Sequence, residues 1–118
     1  MTEIIMSVEN FIEQLKKNPE KIRFSQTMAL LDENYDFFPV AFNNGEFQNK
    51  AGENNGSCKI FYFGQIHKLP KEQTLSCFGE YYREVLQDPE GDGHLNIRNF
   101  MQTGWSGIEF HGTSLQPK

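Results

Sequence analysis

Two polar stretches of this chain carry residue types that could bind a ligand. The first is residues 54–59, Asn54-Asn55-Gly56-Ser57-Cys58-Lys59. If a helix begins at Ser57, its free backbone N–H groups point into the preceding loop and favour an anion, with Lys59 nearby. A loop whose Asn and Ser side chains only cap the helix explains the same residues, and we favour that simpler interpretation.

The second stretch is residues 94–103, in which Asn96 and Asn99 lie one helical turn apart. Asn is a poor residue for a helix interior, so the pair predicts a fixed hydrogen-bonding role. That role is either ligand contact or the fixing of the 54–59 stretch, and we favour the structural one because buried polar groups are usually satisfied within the protein. Arg98, between them, could hold an anion or pair with an acidic side chain. With Tyr81 and Trp105, the Asn pair would line a reasonable small-molecule or peptide cleft.

Cys58 is a candidate nucleophile, because a thiol in the first turn of a helix has a lowered pKa and Lys59 would add to that effect. A thiol enzyme also needs a base, and His94 could supply it. No protease-like signature surrounds Cys58, and free cysteines are among the most buried residues, so an inert core thiol is the favoured interpretation. Cys77 fits the core even better.

Composition excludes several classes of protein. The net charge is -5 with Lys and Arg scattered along the chain, which argues against nucleic-acid and anionic-membrane surfaces. Two cysteines and three widely spaced histidines provide no metal-ligand spacing, so we assign no metal and no cofactor. The first six residues lack the features of a cleavable signal peptide, and no apolar run is long enough to cross a bilayer.

Hydrophobic spacing predicts about five helices in a single domain. They are a helix from Val8 capped by Ser7, one from Ser25 towards Tyr35, one that follows a Ser57 cap and ends before Pro70, one over 71–87, and one over 94–103. The run 58–63 is ambiguous between a buried strand and a buried helix, and we choose helix because Ser57 is a good cap and Pro70 a good terminator.

A small antiparallel sheet completes the predicted fold. Residues 40–47 should form a hairpin, with Asn43-Asn44-Gly45 in a type I′ turn, and residues 107–110 are a candidate third strand. The tail from Thr113 to Lys118 is expected to be frayed.

Several segments in order are similar to one known family. They are residues 54–59, Thr74-Leu75-Ser76-Cys77-Phe78-Gly79-Glu80-Tyr81-Tyr82-Arg83, His94-Leu95-Asn96-Ile97-Arg98-Asn99-Phe100-Met101 and Gly104-Trp105-Ser106-Gly107-Ile108, with Phe37-Phe38-Pro39 and Ala41-Phe42-Asn43-Asn44-Gly45 before them. Together they resemble the HopJ (HopPmaJ) type III effector family. The resemblance implies a bacterial protein that stays in the cytoplasm or is exported by type III secretion, and it transfers no catalytic residue.

We therefore predict a mostly helical α+β domain over residues 1–118, with its core over 8–110. It would bind a small anionic ligand, or a host or bacterial protein, and the alternative is an enzyme that uses Cys58 with His94. The predicted ligand-binding residues are Asn54, Asn55, Ser57, Lys59, Asn96, Arg98, Asn99 and Trp105.

Overall fold

The computed structural model describes residues 7–118, and its first helix forms as its sequence predicts. Ser7 Oγ accepts a hydrogen bond from the Asn10 N–H at 3.1 Å and caps the helix Val8–Lys17. Phe11 and Leu15, one turn apart, are buried. Residues 1–6, on which the expectation about a signal peptide rests, lie outside the described residues.

The described chain forms an α+β domain, as predicted, with six α-helices and five short strands. In chain order they are α1 Val8–Lys17, α2 Phe24–Asn34, β1 Tyr35–Phe37, β2 Phe42–Asn44, β3 Phe47–Asn49, α3 Asn55–Ile66, α4 Lys71–Ser76, α5 Glu80–Gln87, α6 Leu95–Thr103, β4 Ile108–Phe110 and β5 Leu115–Pro117. Single 3-10 turns occupy Pro19–Lys21 and Gly104–Gly107.

Helix α3 lies at the centre of the core. Ile60, Phe61 and Phe63 are completely buried, which explains the four-residue apolar run over 60–63. The Phe61 ring packs against rings from three other segments, those of Phe42 in β2, Phe78 after α4 and Phe100 in α6, at centroid distances of 6.0, 5.5 and 4.8 Å. Each buried ring of this kind contributes roughly 1.5–3 kcal/mol relative to an exposed one. The choice of helix for 58–63 is confirmed.

The strands form two small antiparallel sheets. In the larger, β2 pairs with β3 and with β4, so the third strand predicted near residues 107–110 is confirmed. The hairpin turn differs from the prediction, because Asn44 pairs with Phe47 and only Gly45, at φ 62°, has a positive φ. A type I′ turn needs two positive φ angles, so the turn belongs to a class with glycine at its first central position.

The second sheet overturns the expectation for the C-terminus. The predicted frayed tail instead contains β5, which pairs with β1, and Ser114 and Leu115 are buried. Ser114 also accepts a hydrogen bond from the Phe38 N–H through its carbonyl, at 2.7 Å. Tyr35 ends the helical pattern of α2 and begins β1, so the helix predicted to continue to Tyr35 stops at Asn34.

The long helix predicted over 71–87 is divided into α4 and α5. Gly79 lies at the division with φ 60°, and a Cβ there would lie 2.5 Å from the backbone nitrogen of Phe24. The chain turns at this glycine so that the first residue of α2 can approach it. Glu80 then accepts a hydrogen bond from the Phe24 N–H at 2.7 Å. Glu80 therefore caps α2, and Ser25, the predicted cap, lies inside that helix.

Candidate functional site

The beginnings of α3 and α6 face each other across a cleft of about 540 Å³. Asn54, Gly56 and Ser57 line it from α3, and residues 94–97 line it from α6. This volume falls within the range of pockets that enclose small molecules. Among the predicted site residues, the structure brings Asn54, Ser57, Asn96 and His94 together here.

The first turn of α3 has no side-chain cap. Its N-cap residue is Asn54, in the left-handed region at φ 53°, and Ser57, the predicted cap, is the third residue of the helix. Within the described chain, the N–H groups of Asn55, Gly56 and Ser57 donate no hydrogen bond. These three donors and the positive end of the helix dipole are therefore free, and two of the three residues, Gly56 and Ser57, line the cleft.

Helix α6 begins in the same way. His94 is its N-cap at φ 58°, and its side chain makes no capping hydrogen bond. The N–H groups of residues 95–97 have no acceptor among residues 7–118. A left-handed N-cap is unusual for a residue other than glycine, so two of them at one cleft form a specific arrangement.

Four asparagines fix the two helix ends to each other. Asn49 Oδ1 accepts from Asn54 Nδ2 at 2.7 Å and from Asn96 Nδ2 at 2.9 Å. Asn96 Oδ1 accepts from Asn44 Nδ2 at 3.0 Å and from Asn49 Nδ2 at 3.2 Å. Asn44, Asn49 and Asn96 are buried, so these bonds form in a poorly hydrated environment in which each lost partner is costly. The network holds the start of α3 at a fixed position relative to the start of α6.

Aromatic side chains form another wall of the cleft. Phe24, Phe47, Phe78 and Tyr81 line it, together with the His94 ring. Tyr81 packs edge to face against Phe24, with centroids 5.0 Å apart, and lies 5.3 Å from the His94 ring. Gly56 permits the approach of Phe24 to α3, since a Cβ at that residue would lie 2.8 Å from the ring.

The acidic groups of the site lie towards α5 and α6. Asp92 lines the cleft, and Glu84 bonds to His94 Nε2 at 3.0 Å. The pKa of Glu80 is held below its ordinary value, chiefly by the hydrogen bond that its carboxylate accepts from the Phe24 N–H. Asp92 and Glu84 would therefore repel an anion at the α6 side of the cleft, and the carboxylate of Glu53, beside the α3 N-cap, accepts from the Lys50 N–H at 3.0 Å.

Two predicted ligand residues with positive charge are used elsewhere. Lys59 Nζ pairs with Asp32 Oδ1 at 2.9 Å and lies 4.9 Å from the centre of the Phe37 ring. Arg98 donates to the backbone oxygens of Gly93 and Asp88, and so it orders the loop before α6. Neither side chain lines the cleft.

The remaining predicted ligand residues also lie outside the cleft lining. Trp105 donates through Nε1 to the Leu69 carbonyl at 2.8 Å and packs beside Gly64. The Asn99 side chain makes no hydrogen bond with any of residues 7–118, and Asn55 is exposed at the start of α3. The structural role predicted for the Asn pair is therefore performed by Asn96 and not by Asn99.

Cys58 lies in the core, as the favoured interpretation predicted, and its thiol lacks the lowered pKa that the nucleophile alternative requires. Only 2% of the residue is exposed, and burial raises the pKa of its thiol more than the nearby hydrogen-bonding groups lower it. Its Sγ lies 3.2 Å from Ser114 Oγ and 3.8 Å from the Val40 carbonyl. His94 contacts Tyr81 and Glu84, so the structure does not bring the proposed nucleophile and base together.

Sequence reasoning missed Asn49, and it assigned Asn44 to a turn. A signal for them exists in the strand periodicity. Side chains two residues apart share one face of a strand, so Asn44 lies on the face of the buried Phe42 and Asn49 on the face of Phe47. An inward-facing Asn in a strand predicts a buried polar partner.

Two kinds of feature are absent from residues 7–118. No helix in the range 7–118 is both long and apolar enough to cross a membrane. Across the same residues, no group of three or more His, Cys, Asp or Glu side chains is arranged to hold a metal ion.

Comparison with known proteins gives a family and a fold, and no activity. A family model described as HopJ type III effector protein matches residues 8–115. The crystal structure of the unknown function protein VPA0580 superposes with a TM-score of 0.95 at 53% sequence identity, covering 100% of this chain and 99% of that chain. The comparison with curated proteins returned no match. The resemblance read from the sequence motifs is thus confirmed, and the chain belongs to the HopJ type III effector family.

Proposed function

We propose that this chain is a binding protein that holds a small anion, such as a phosphate or carboxylate group, between the first turns of α3 and α6. One observation carries the proposal. Two helices begin at the same cleft, each after a left-handed N-cap, and the six N–H groups of their first turns have no acceptor in the described chain. Free N–H groups and aligned helix dipoles are the usual protein environment for such anions.

The fixed geometry of the cleft supports the same proposal. The buried asparagine network holds Asn54 and Asn96 in place before any ligand arrives. A ligand therefore binds to donors that are already ordered, and little of the interaction energy is lost in ordering the site. The ammonium of Lys59 and the guanidinium of Arg98, which are engaged elsewhere, have no part in the proposed site.

A matched pair of substitutions tests this site. Ser57→Asp places a carboxylate at the third residue of α3, where it competes with an external anion for the free N–H groups. The new charge also interacts favourably with the positive end of the helix dipole. Ser7→Asp adds the same charge at the cap of α1, away from the cleft. The assay is thermal unfolding with inorganic phosphate, pyrophosphate and small carboxylates as probes.

The proposal predicts a saturable rise in Tm with at least one probe. A probe at 100 times its Kd adds about 2.7 kcal/mol, which is a rise of roughly 11 °C for a chain of this length. The Ser57→Asp variant should start from a higher Tm and lose the response, whereas Ser7→Asp should keep it. Absence of a saturable response in the unmodified protein, or an equal response in Ser57→Asp, would contradict the proposal.

Family membership supports a second proposal, about location. We propose that the protein is made in a bacterial cytoplasm and exported by type III secretion. A reporter fused to its C-terminus should reach the medium from a bacterium with an active secretion apparatus and remain inside when that apparatus is inactivated. Equal retention in both strains would count against export.

A further inference from the structure

We propose that the ligand of the α3–α6 cleft carries a flat aromatic ring in addition to its anionic group. The inference rests on the proposed anion site, and the added ring is inferred from the aromatic side chains that form one wall of the cleft. Four aromatic side chains, those of Phe24, Phe47, Phe78 and Tyr81, line the same cavity as the two helix beginnings.

Three of these side chains leave apolar surface in water at a concave site. Tyr81 is 37% exposed, and Phe24 and Phe47 are half-buried, whereas most aromatic rings of the core are fully enclosed. A ligand ring placed here would remove that surface from water. The neighbouring Leu95, half exposed at the start of α6, adds to the apolar rim.

The wall is also rigid enough to select a flat partner. Phe24 and His94 pack on Tyr81 at centroid distances of 5.0 and 5.3 Å, so its ring has few alternative positions. A further ring can join such a group in an offset-stacked or edge-to-face arrangement, the geometries that aromatic pairs prefer. Aliphatic groups gain burial at this wall but lack that specific interaction.

The volume and charge of the cleft fit a ligand with two unlike ends. At about 540 Å³ the cleft is of the size that encloses a whole small molecule and is much larger than an inorganic ion requires. The free N–H groups of Gly56 and Ser57, which line the cleft, would hold the anionic end, away from Asp92, while the ring lies against Tyr81. The ligand class is therefore a small aromatic phosphate or carboxylate.

Three probes separate the ring from the charge. Phenyl phosphate has both, methyl phosphate has only the charge, and benzyl alcohol has only the ring. Calorimetric titration of the full chain should give phenyl phosphate an affinity about tenfold or more above that of methyl phosphate, as expected for one added aromatic contact and its burial. Benzyl alcohol should bind more weakly than phenyl phosphate.

Two variants test whether the aromatic wall causes the preference for phenyl phosphate. Tyr81→Leu keeps an apolar side chain and removes the ring, so it should weaken phenyl phosphate by about tenfold and methyl phosphate by much less. Phe38→Leu is the matched control, since Phe38 is 46% exposed and lies outside the cleft lining. It should change neither affinity.

The outcomes distinguish the two proposals. Equal affinity for phenyl and methyl phosphate in the unmodified protein would overturn the ring inference and leave the anion site standing. Binding of benzyl alcohol as tight as that of phenyl phosphate would support the ring and overturn the anion site. If neither phosphate binds, the proposed function fails and the ring inference fails with it.

Discussion

Removal of the Asn96 side chain tests the asparagine network that positions the site. The Asn96→Ala substitution deletes three side-chain hydrogen bonds, of 2.9, 3.0 and 3.2 Å, to Asn49 and Asn44. Asn44 Nδ2 keeps the Asn96 carbonyl at 2.8 Å, and Asn49 Oδ1 keeps Asn54 Nδ2. Asn49 Nδ2 keeps only the Phe47 carbonyl at 3.5 Å, so one buried donor loses its good partner.

The expected loss of stability follows from these contacts. At about 1 kcal/mol for each net hydrogen bond the loss is about 3 kcal/mol. The better helix propensity of Ala returns roughly 0.5 kcal/mol, which leaves a net loss of about 2–3 kcal/mol. For a domain of this length that corresponds to a fall in Tm of about 8–12 °C.

Urea unfolding and calorimetry would measure this change, with Asn99→Ala as the control. Asn99 lies on the same helix, is half-buried and makes no side-chain hydrogen bond with the described chain, so its removal should change stability by about 0.5 kcal/mol or less. Equal effects of the two substitutions, or an Asn96→Ala variant as stable as the unmodified protein, would refute the role assigned to the network.

Three other perturbations have clear expected results. Gly79→Ala should lower the free energy of unfolding in urea by at least about 2 kcal/mol, because the residue has φ 60° and the new Cβ would meet the Phe24 nitrogen. Gly93→Ala is the control and should be near neutral, because no atom lies within 4 Å of the new Cβ. Glu80→Gln should lower stability by about 0.5–1 kcal/mol at pH 7. The folded-state pKa of Glu80 is depressed, so its contribution to stability is present above the unfolded pKa of about 4.3 and is lost as pH falls. The difference in stability between the variant and the unmodified protein should therefore shrink from pH 5 to pH 3. Cys58 should resist iodoacetamide at neutral pH until the protein is denatured, because burial shields its thiol and raises its pKa; rapid native alkylation would restore the thiol-enzyme hypothesis.

Local patterns predicted much of the helical structure. The Ser7 cap, the apolar stripe of α1 and the continuous apolar run of α3 each carry a complete signal within a few residues. The third strand was also readable, since Ile108–Phe110 follows a helix-ending glycine and pairs with a hairpin marked by Asn-Gly. These elements depend little on distant parts of the chain.

The largest errors in the fold arise where distant segments meet. The division at Gly79 depends on the approach of Phe24, more than 50 residues earlier, and β1 exists because β5 pairs with it from the far end of the chain. A strand of three residues has too little periodicity of its own to reveal such a partner. Tertiary pairing therefore overrode the helical spacing that continues through Tyr35 in the sequence.

The candidate site was predictable in its position but not in its chemistry. The stretches 54–59 and 94–103 do converge, as their residue types suggested, yet the converging groups are mainly backbone N–H groups and buried amides. Both helices begin at left-handed residues, Asn54 and His94, whereas Ser57 was the stronger sequence signal for a cap. Lys59 and Arg98 were predicted to bind the ligand because of their positive charge. Their actual partners, Asp32 and the loop carbonyls, cannot be predicted from local sequence.

The proposed anion site is tested most directly by amide chemical shifts in a titration of the ¹⁵N-labelled full chain with inorganic phosphate. The account predicts the largest shifts at the N–H groups of residues 55–57, with smaller shifts at 95–97, all fitting one Kd. The amides around Lys59 and Arg98 should respond much less. Shifts centred on those two side chains, or linear drifts without saturation at both helix beginnings, would contradict it.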